Sequence, residues 1–485
     1  MMSLKEYQQG LKFLFIIAIK RLYKGEVFIL NSIDHGIQTR IEAAINITED
    51  EIPNIKKEMD NLINRNLPIT KKIISKKDAY DFYIRHNEIE KAENVLKISN
   101  ISVSMFELDG EYNYFYSSEM PESTGLLKGY DLYYVKPNQI VISYTMNGKM
   151  DFKFRNNIFE TYDNSRNWAK KIHVEYVSDI NNLIAKGKMD DLIRKCDLLM
   201  DVEIYLACQK IIASEKKIVL LAGPSSSGKT TTSRKLANAL GSIGIEARAI
   251  TLDDYFLEND EAPLLPDGSK DYESLKSLDL DLFNKHIETL LNGGEAKLPV
   301  YNFVLGMKEY PNPPIKLEEN EVIIIEGLHG INPNLFYKKE LANDAFKIYI
   351  SPFSPLRIDR HNYISSTDNR LLRRIARDFR TRGKSAEASL ESWSKVREGE
   401  EKYIFPYTDS VDYIINTSSI YEIGILKVMV EPLLYNVEFD SPCYKEARRL
   451  LDSLRCFYPI SSEYVSKSSV LREFIGGSIF EGDVT

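Results

Sequence analysis

Residues 223–230 read Gly-Pro-Ser-Ser-Ser-Gly-Lys-Thr, and the spacing Gly-x-x-x-x-Gly-Lys-Thr suits a loop that holds a polyphosphate. Such a loop can turn its backbone N–H groups inward around phosphate oxygens, and the positive end of a following helix attracts anions. Lys229 would reach the β and γ phosphates, and Thr230 would offer its hydroxyl to Mg²⁺. The predicted nucleotide-binding residues are Gly223, Ser225, Ser226, Ser227, Gly228, Lys229, Thr230 and Thr231.

The bare pattern also arises by chance in loops rich in glycine and serine, so its context matters. An apolar strand, Lys217–Leu221, precedes the loop. A helical pattern follows it from Thr231 to Leu240 and ends at Gly241. This strand, loop and helix order is the one that a phosphate loop requires.

Carboxylates follow two further apolar strands. Glu246–Leu252 runs into Asp253 and Asp254, and Glu321–Ile325 runs into Glu326. Ligands of an open parallel sheet bind beyond the carboxyl ends of its strands, so these acids are expected at one site. We predict Asp253 as the general base that orients and deprotonates an acceptor hydroxyl, Asp254 as a metal ligand or structural support, and Glu326 as a Mg²⁺ ligand. The alternative is that these acids only cap turns.

A basic segment comes later in the chain. Arg370, Arg373, Arg374 and Arg377 recur at intervals of three and four residues, so they share one helical face and could close over phosphates as a lid. Guanidinium groups suit bidentate capture of phosphate and neutralise charge on a transferring group. Composition alone favours the alternative of a solvated helix face.

Two segments between the acids and the arginines could contact an acceptor. Tyr301 and Phe303 could stack on a flat molecule, and Asp271 could accept hydrogen bonds from sugar hydroxyls. Composition alone favours the alternative that these residues belong to loops and to the core.

The chain as a whole has 485 residues, too many for a single core. From Lys217 onward, short apolar strands alternate with helices, which predicts an α/β fold with a doubly wound parallel sheet of the P-loop NTPase type. The preceding part mixes helical and alternating patterns and predicts an α+β domain. We place an α+β domain at 1–205, the phosphate-loop domain at 206–440 and a C-terminal tail at 441–485. A helical connector, Met189–Ser214, bridges the first two. The tail is predicted as a helix, Tyr444–Leu454, followed by a loose end.

Composition excludes several classes. The net charge of −8 gives no global attraction to nucleic acid, and the four separated cysteines fit a reducing compartment rather than a zinc or redox site. Leu11–Ile19 is interrupted by Lys12 and is too short to span a bilayer, so we expect a buried helix, a cytoplasmic protein and no membrane partner.

The later motifs together resemble the uridine kinase and phosphoribulokinase-like branch of phosphate-loop kinases, over roughly residues 215–435. Six segments carry the resemblance, in that family's order and at about its spacing: 223–230, Asp253-Asp254-Tyr255-Phe256, Asp271-Tyr272-Glu273, Tyr301-Asn302-Phe303, Glu326-Gly327-Leu328-His329 and 370–384. The resemblance implies Mg²⁺-dependent transfer of phosphate from ATP or GTP to the 5′-hydroxyl of a nucleoside, uridine or cytidine.

The resemblance also implies roles by position. It places the catalytic base at Asp253, the magnesium position at Glu326, and the nucleoside at Asp271, Tyr301 and Phe303. Its phosphate and substrate lid falls on Arg374, Arg377 and Arg382. We therefore expect Asp253, Lys229 and Arg377 to be catalytic, Arg374 and Arg382 to bind substrate, and Thr230, Glu326 and Asp254 to hold the metal.

Two positions depart from the family pattern. The histidine that follows the Tyr-x-Phe segment in uridine–cytidine kinases is Gly306 here, and the final lid arginine is Lys384. These departures leave the base of the nucleoside open, and with it the alternative of another small hydroxyl compound or a sugar phosphate as acceptor.

The first 155 residues resemble the second additional domain of threonyl-tRNA synthetases. The matching residues include Ala18-Ile19-Lys20-Arg21-Leu22-Tyr23, Gly36-Ile37, Thr48-Glu49-Asp50-Glu51 and Leu67-Pro68. The paired histidines and the cysteine of the editing domains are missing, so hydrolytic editing is not expected. A nucleotide-gated RNA-binding regulator remains the alternative function, because lysine pairs in this part could contact RNA: Lys56-Lys57, Lys71-Lys72 and Lys76-Lys77. The acidic balance of the chain favours a solvated face for them. We also expect a homo-oligomer.

Overall fold

The structure is a computed structural model and describes residues 2–33, 35–97, 101–115, 119–145, 152–265, 268–303 and 305–480. The elements of the N-terminal part, in chain order, are α1 (Leu4–Tyr23), β1 (Glu26–Ile33), β2 (Gly36–Glu42), α2 (Ile52–Asn64), β3 (Thr70–Ser75), α3 (Lys76–Arg85), α4 (Ile89–Lys97), β4 (Ser102–Leu108), β5 (Glu111–Asn113), β6 (Tyr130–Lys136) and β7 (Gln139–Tyr144). Strands β1, β2, β7 and β6 form a four-stranded antiparallel sheet, and β3, β4 and β5 form a three-stranded antiparallel sheet. The expected α+β architecture is confirmed.

Helix α1 is the apolar centre of the N-terminal part. Ser3 caps its first turn by accepting a hydrogen bond from the backbone N–H of Glu6, and Lys24 ends it in the left-handed conformation. Leu11, Leu14 and Phe15 are completely buried, as a core helix requires. The prediction of a buried helix over Leu11–Ile19 is therefore confirmed. None of the described residues forms a helix that is long and apolar enough to cross a membrane.

Three helices lead to the second part of the chain: α5 (Asn156–Lys171), α6 (Val177–Ala185) and α7 (Met189–Ser214). Helix α7 matches the predicted connector in both bounds. It is continuous, so the boundary proposed near residue 205 lies inside a helix. Ile204, Ala207, Cys208 and Ile211 of α7 are buried in one apolar cluster with Val219, Leu221 and Ile324. The C-terminal half of α7 therefore packs with the domain that follows.

The second part is built on a five-stranded parallel sheet of order β14-β13-β8-β12-β9, with β8 at its centre. Its elements are β8 (Ile218–Ala222), α8 (Lys229–Ser242), β9 (Ala247–Thr251), α9 (Leu280–Leu291), β10 (Val300–Asn302), β11 (Met307–Glu309), β12 (Val322–Gly327), α10 (Lys339–Asn343), β13 (Ala345–Ser351), α11 (Ser366–Arg382), α12 (Ala386–Tyr403), β14 (Tyr413–Asn416) and α13 (Glu422–Tyr435). The residues of β8 and β12 are buried throughout, as expected for strands covered by helices on both faces. The predicted doubly wound parallel sheet is confirmed.

The C-terminal segment contains the predicted helix, α14 (Tyr444–Leu454), and a short helix, α15 (Arg472–Ile475). The expectation of a loose end is wrong for the described residues up to 480. Phe457, Val465 and Phe474 are buried, and Phe474 joins the same apolar cluster as residues of α11 and α13. Burial of these side chains fixes the segment against the second domain.

Candidate active site

The phosphate loop has the backbone geometry that its glycines predict. Gly228 precedes α8 with a φ of 91°, and Ser226 also has a positive φ of 60°. A Cβ at Gly223 would lie 2.6 Å from the carbonyl oxygen of Ile350, so a side chain there would force the loop away from β13. Glycine is therefore required at both ends of the loop.

The loop is held from behind by buried side chains. Glu400 accepts a hydrogen bond from the Ser225 N–H at 2.9 Å, and Thr417 donates to the Ser227 carbonyl at 2.6 Å. Arg370 donates to the Ser225 carbonyl at 3.1 Å, and Arg374 donates to the Ser225 hydroxyl at 3.0 Å. These contacts fix the shape of the loop before any nucleotide arrives.

Arg370 and Arg373 are not lid residues. Arg370 forms a bidentate ion pair with Glu400, and Arg373 pairs with Glu422, with a nitrogen–oxygen distance of 2.8 Å in each. All four side chains are at most 2% exposed. The predicted shared face of the helix exists, but its first half packs into the domain and supports the loop, so neither the lid nor the solvated face describes these two arginines.

Arg374, Arg377 and Arg382 surround a single buried carboxylate. Asp378 has its closest contacts with Arg377 at 2.9 Å, Arg374 at 3.4 Å and Arg382 at 3.5 Å. Burial and the neighbouring Arg377 lower the pKa of Arg382 to about 10, although Asp378 opposes the shift. Asp378 alone cannot neutralise three guanidinium groups, and Glu273 and Asp253 also lie within electrostatic range of Arg374 and Arg382.

The start of α8 carries Lys229, Thr230 and Thr231. The Thr230 hydroxyl donates to Glu326 Oε1 at 3.0 Å, while Lys229 Nζ lies 3.4 Å from the Pro224 carbonyl. Thr231 contacts the C-terminal segment, because Glu473 Oε2 accepts from its backbone N–H at 3.2 Å and from its hydroxyl at 2.9 Å. A carboxylate of the chain itself therefore occupies donors that the helix start would offer to a phosphate.

The predicted carboxylates meet at the carboxyl ends of β9 and β12. Burial raises the pKa of Glu326 to about 7, the negative charge of Asp253 adds to the shift, and Lys229 opposes it. The pKa of Asp254 rises to about 6 by burial, and its Oδ1 accepts from the Tyr301 N–H at 3.1 Å. Asp253 and Glu326 thus share one electrostatic environment with Lys229, whereas Asp254 anchors strand β10.

The oxygen ligands fit a magnesium ion. Mg²⁺ keeps several waters and takes one or two carboxylates together with substrate phosphates, rather than a cage made of protein. Thr230 and Glu326 present adjacent oxygens, and Asp253 adds negative charge beside them. Within the described ranges, no group of three or more His, Cys, Asp or Glu residues could hold a metal ion by itself.

The predicted acceptor residues gather around an aromatic cluster. Tyr301 is buried, with its ring 5.0 Å from that of Phe303 and 5.7 Å from that of Phe256, and its hydroxyl donates to the Leu257 carbonyl. Phe303 is 56% exposed and lies 5.8 Å from the Arg382 guanidinium. Asp271 accepts from the backbone N–H of Ser274 at 3.2 Å. Phe303 is therefore the exposed ring of the cluster and lies beside Arg382, and Tyr301 packs against it.

Residues 218–423 match the model of the phosphoribulokinase / uridine kinase family. Over these residues the chain is similar to that family. A uridine kinase of Halobacterium salinarum is 28% identical over 197 residues, which are 40% of this chain and 77% of the relative. A uridine kinase of Halalkalibacterium halodurans is 29% identical over 41% of this chain and 84% of its own. The solved structure of a possible uridine kinase from Bacillus stearothermophilus aligns over 30% of this chain and 78% of its own, at 21% identity and a TM-score of 0.25.

The kinase domain contains a further acid that sequence reasoning left without a role. Burial raises the pKa of Glu273 to about 7, Glu400 adds to the shift, and Arg374 and Lys229 oppose it. Glu273 therefore lies within electrostatic range of both the loop and the arginines. Its position in the motif Asp271-Tyr272-Glu273 could have indicated from the sequence that Glu273 lies near the site.

No sequence pattern predicted that Glu400 and Glu473 would contact the loop and the start of α8. They reach the loop from 175 and 242 residues away in the chain, outside any motif.

The departure at Gly306 has a structural counterpart in the kinase domain. Gly306 has a φ of 70°, and a Cβ there would lie 1.7 Å from Asn259 Nδ2. Its N–H donates to the Asn302 carbonyl at 2.7 Å. A side chain at this position would have to displace Asn259, so the histidine of the family pattern has no space in this arrangement.

Proposed function

We propose that the kinase domain transfers the γ-phosphate of ATP or GTP to the 5′-hydroxyl of a nucleoside, uridine or cytidine, with Mg²⁺. The observation that carries the proposal is the meeting of Lys229, Thr230, Asp253 and Glu326 at one sheet edge, supported by the hydrogen bond from Thr230 to Glu326 and the charge coupling of Glu326 with Asp253 and Lys229. Phosphoryl transfer depends mainly on positioning and electrostatic stabilisation, and this edge supplies both.

Each side chain then has a task. The loop N–H groups and Lys229 bind the triphosphate, and Asp253 orients the acceptor hydroxyl and accepts its proton. Thr230 and Glu326 would hold Mg²⁺, which neutralises phosphate charge when bound. Arg374, Arg377 and Arg382 neutralise charge on the transferring group. Phe303 stacks on the base, while Tyr301 and Asp271 hold the surrounding loops.

The acceptor is tested with a panel of compounds. Purified full-length protein is incubated with Mg²⁺, ATP or GTP, and each of the common nucleosides, ribose 5-phosphate or glycerol, and ADP or GDP release is measured. We expect uridine or cytidine to give the highest kcat/KM. If a sugar phosphate is phosphorylated and no nucleoside is, the acceptor assignment is wrong but the phosphotransferase assignment stands.

One observation favours a different base or acceptor. Gly306 leaves no side chain where the family pattern has a histidine, and Asn259 fills the adjacent space. A different contact must therefore read the acceptor at this edge. Phosphorylation of a purine nucleoside, with no phosphorylation of uridine, would support a different base specificity.

A further inference from the structure

A cavity of about 460 Å³, separate from the candidate active site, lies between the N-terminal part and the kinase domain. Helix α1, the start of α11 and helix α12 line it, with Ser32, Tyr144 and Tyr363 adding hydroxyl groups. Its volume is in the range of small-molecule sites. Neither the proposed transfer nor the family motifs use it.

The cavity is lined by more cations than acids. Lys5, Lys12, Arg397 and Arg449 face two carboxylates, Asp368 and Glu401. Arg449 pairs with Asp368 at 2.6 Å and Arg397 with Glu401 at 3.3 Å. Lys5 and Arg449 also pair with Glu446, and Arg397 with Glu400, both just outside the lining. The positive end of the 17-residue helix α11 points to the same place.

Lys12 is the unusual member of this set. It is 6% exposed, and among the described residues its ammonium makes no hydrogen bond or ion pair, only a contact with the Tyr363 ring at 4.9 Å from the centroid. Burial lowers its pKa to about 8, with Asp368 opposing the shift. Lys12 therefore has a nearby anion, Asp368, but no direct ion pair, so a further anionic contact from the cavity would stabilise its charge.

Gln9 gives an independent indication on the same wall. Its Oε1 atom is buried and has no hydrogen-bond partner among the described residues. A buried acceptor of this kind costs free energy unless a donor reaches it. An anion would suit Lys12 best, and an O–H or N–H group would suit Gln9.

From this geometry we infer that the cavity binds a small organic phosphate, a monoester with free hydroxyl groups. The phosphate would lie against Lys12, Arg397 and the start of α11, since ammonium, guanidinium and helix ends all favour phosphate oxygens. The hydroxyl groups would reach Gln9 and the hydroxyl side chains. A bare oxyanion would leave most of the volume and the Gln9 acceptor unsatisfied.

The cavity is connected to the phosphate loop through two side chains. Arg397 donates to Glu400 Oε2 at 2.9 Å, and Glu400 Oε1 accepts from the Ser225 N–H at 2.9 Å. A phosphate that engages Arg397 leaves Glu400 less neutralised and adds negative charge, so the loop becomes less favourable for a triphosphate. The bound monoester therefore weakens ATP binding, and ATP weakens its binding by the same factor.

Calorimetry on the full-length protein tests the site, with inorganic phosphate, glycerol 3-phosphate and ribose 5-phosphate as probes. Lys12→Met removes the cation, Lys20→Met is the matched control on the same helix, and Lys229→Ala separates the cavity from the phosphate loop. We expect an ester to bind the wild type, Lys20→Met and Lys229→Ala alike, and Lys12→Met at least about tenfold more weakly, as for the loss of one charge-assisted contact.

Three results would overturn the inference. These are no ester binding at millimolar concentration, binding lost in Lys229→Ala, or binding unchanged in Lys12→Met. Inorganic phosphate binding as tightly as the esters would refute the organic ligand. Lys12→Met should fold, because a methionine of similar length replaces a lone buried charge. Gln9→Leu provides a second, uncharged variant and should also bind the ester more weakly.

The coupling has its own readout. At saturating ester, the Kd for ATP should rise about fivefold or more, the lower end of usual coupling between sites. An unchanged ATP affinity with the ester bound would refute the connection to the loop. None of these measurements depends on which acceptor the kinase domain phosphorylates.

Discussion

Asp253 and Lys229 influence the same carboxylate, Glu326, with opposite sign. The proposed roles separate them, because Lys229 contacts phosphate in the bound state whereas Asp253 acts on the acceptor. Their substitutions should therefore fail at different steps. The contrast between them is more informative than either loss alone.

We predict that Asp253→Asn lowers kcat by about 10²- to 10⁴-fold, the usual contribution of a general base, with ATP affinity within about threefold of the wild type. Lys229→Ala should weaken ATP binding by about tenfold or more, since it removes a charged partner of the phosphates. Single-turnover kinetics and a fluorescent nucleotide titration measure the two effects. An equal loss of ATP affinity in both variants would contradict the division of roles.

Helix α11 contains two classes of arginine. Arg373 and Glu422 are each 1% exposed, whereas the Arg382 side chain is 38% exposed. Removing one partner of a buried ion pair leaves the other charge buried alone. The two classes should therefore differ in their effect on stability.

We predict that Arg373→Met lowers the free energy of unfolding by about 3–5 kcal/mol, and that Arg382→Met changes it by less than about 1 kcal/mol. Urea unfolding followed by circular dichroism measures both. Arg382→Met should instead raise the KM for the acceptor or lower kcat. Equal destabilisation by the two substitutions would contradict the difference in burial between Arg373 and Arg382.

Helix α15 brings Glu473 to the first turn of α8. Its carboxylate accepts two hydrogen bonds from Thr231 and is held nearby by Arg380, which donates to the Glu473 carbonyl at 3.0 Å. A nucleotide that uses the Thr231 N–H must displace this carboxylate. The C-terminal segment and the nucleotide therefore compete for one helix start.

We predict that Glu473→Gln tightens ATP binding by about fivefold, because the loss of one negative charge at a helix N-terminus removes roughly 1 kcal/mol of competition. Glu463→Gln, on an exposed part of the same segment, is the matched control and should leave the affinity unchanged. Equilibrium titration with a nucleotide analogue measures both. Weaker binding by Glu473→Gln would indicate that the glutamate assists nucleotide binding.

The sequence predicted local features well and distant contacts poorly. The phosphate loop, the strand ends at Asp253 and Glu326 and the connector α7 follow from periodicity and short motifs. Glu400, Glu422 and Glu473 could not be assigned, because an ion pair between distant segments leaves no periodic trace. The lid interpretation of Arg370 and Arg373 was wrong for the same reason: their spacing gives a helix face, but only tertiary packing decides what covers it.

The two halves of the molecule are joined by the segment after β13. Arg360 pairs with Glu90 at 2.6 Å and with Glu26 at 2.9 Å, and its carbonyl accepts from the Ile29 N–H at 2.8 Å. Opposite charges raise the pKa of Arg360 despite its burial. A kinase segment thus continues the packing of strand β1, and the halves should unfold together.

We predict a single calorimetric transition for the wild type, and two separate transitions for Arg360→Met. Arg455→Met is the control and should keep the single transition, because the ion pair of Arg455 among the described residues is with Asp452, three positions earlier. Two transitions in the wild type would mean that the halves are energetically independent. Identical traces for both variants would mean that the contacts of Arg360 do not couple them.

The central claim is that one sheet edge joins a triphosphate to an acceptor hydroxyl readied by Asp253. The most direct measurement is ³¹P NMR of a reaction containing the protein, Mg²⁺, ATP and either uridine or 5′-deoxyuridine. The account predicts one uridine 5′-monophosphate for each ADP with uridine, and no transfer with 5′-deoxyuridine. ATP that binds but is left unchanged, or is hydrolysed to phosphate equally with both nucleosides, would contradict it.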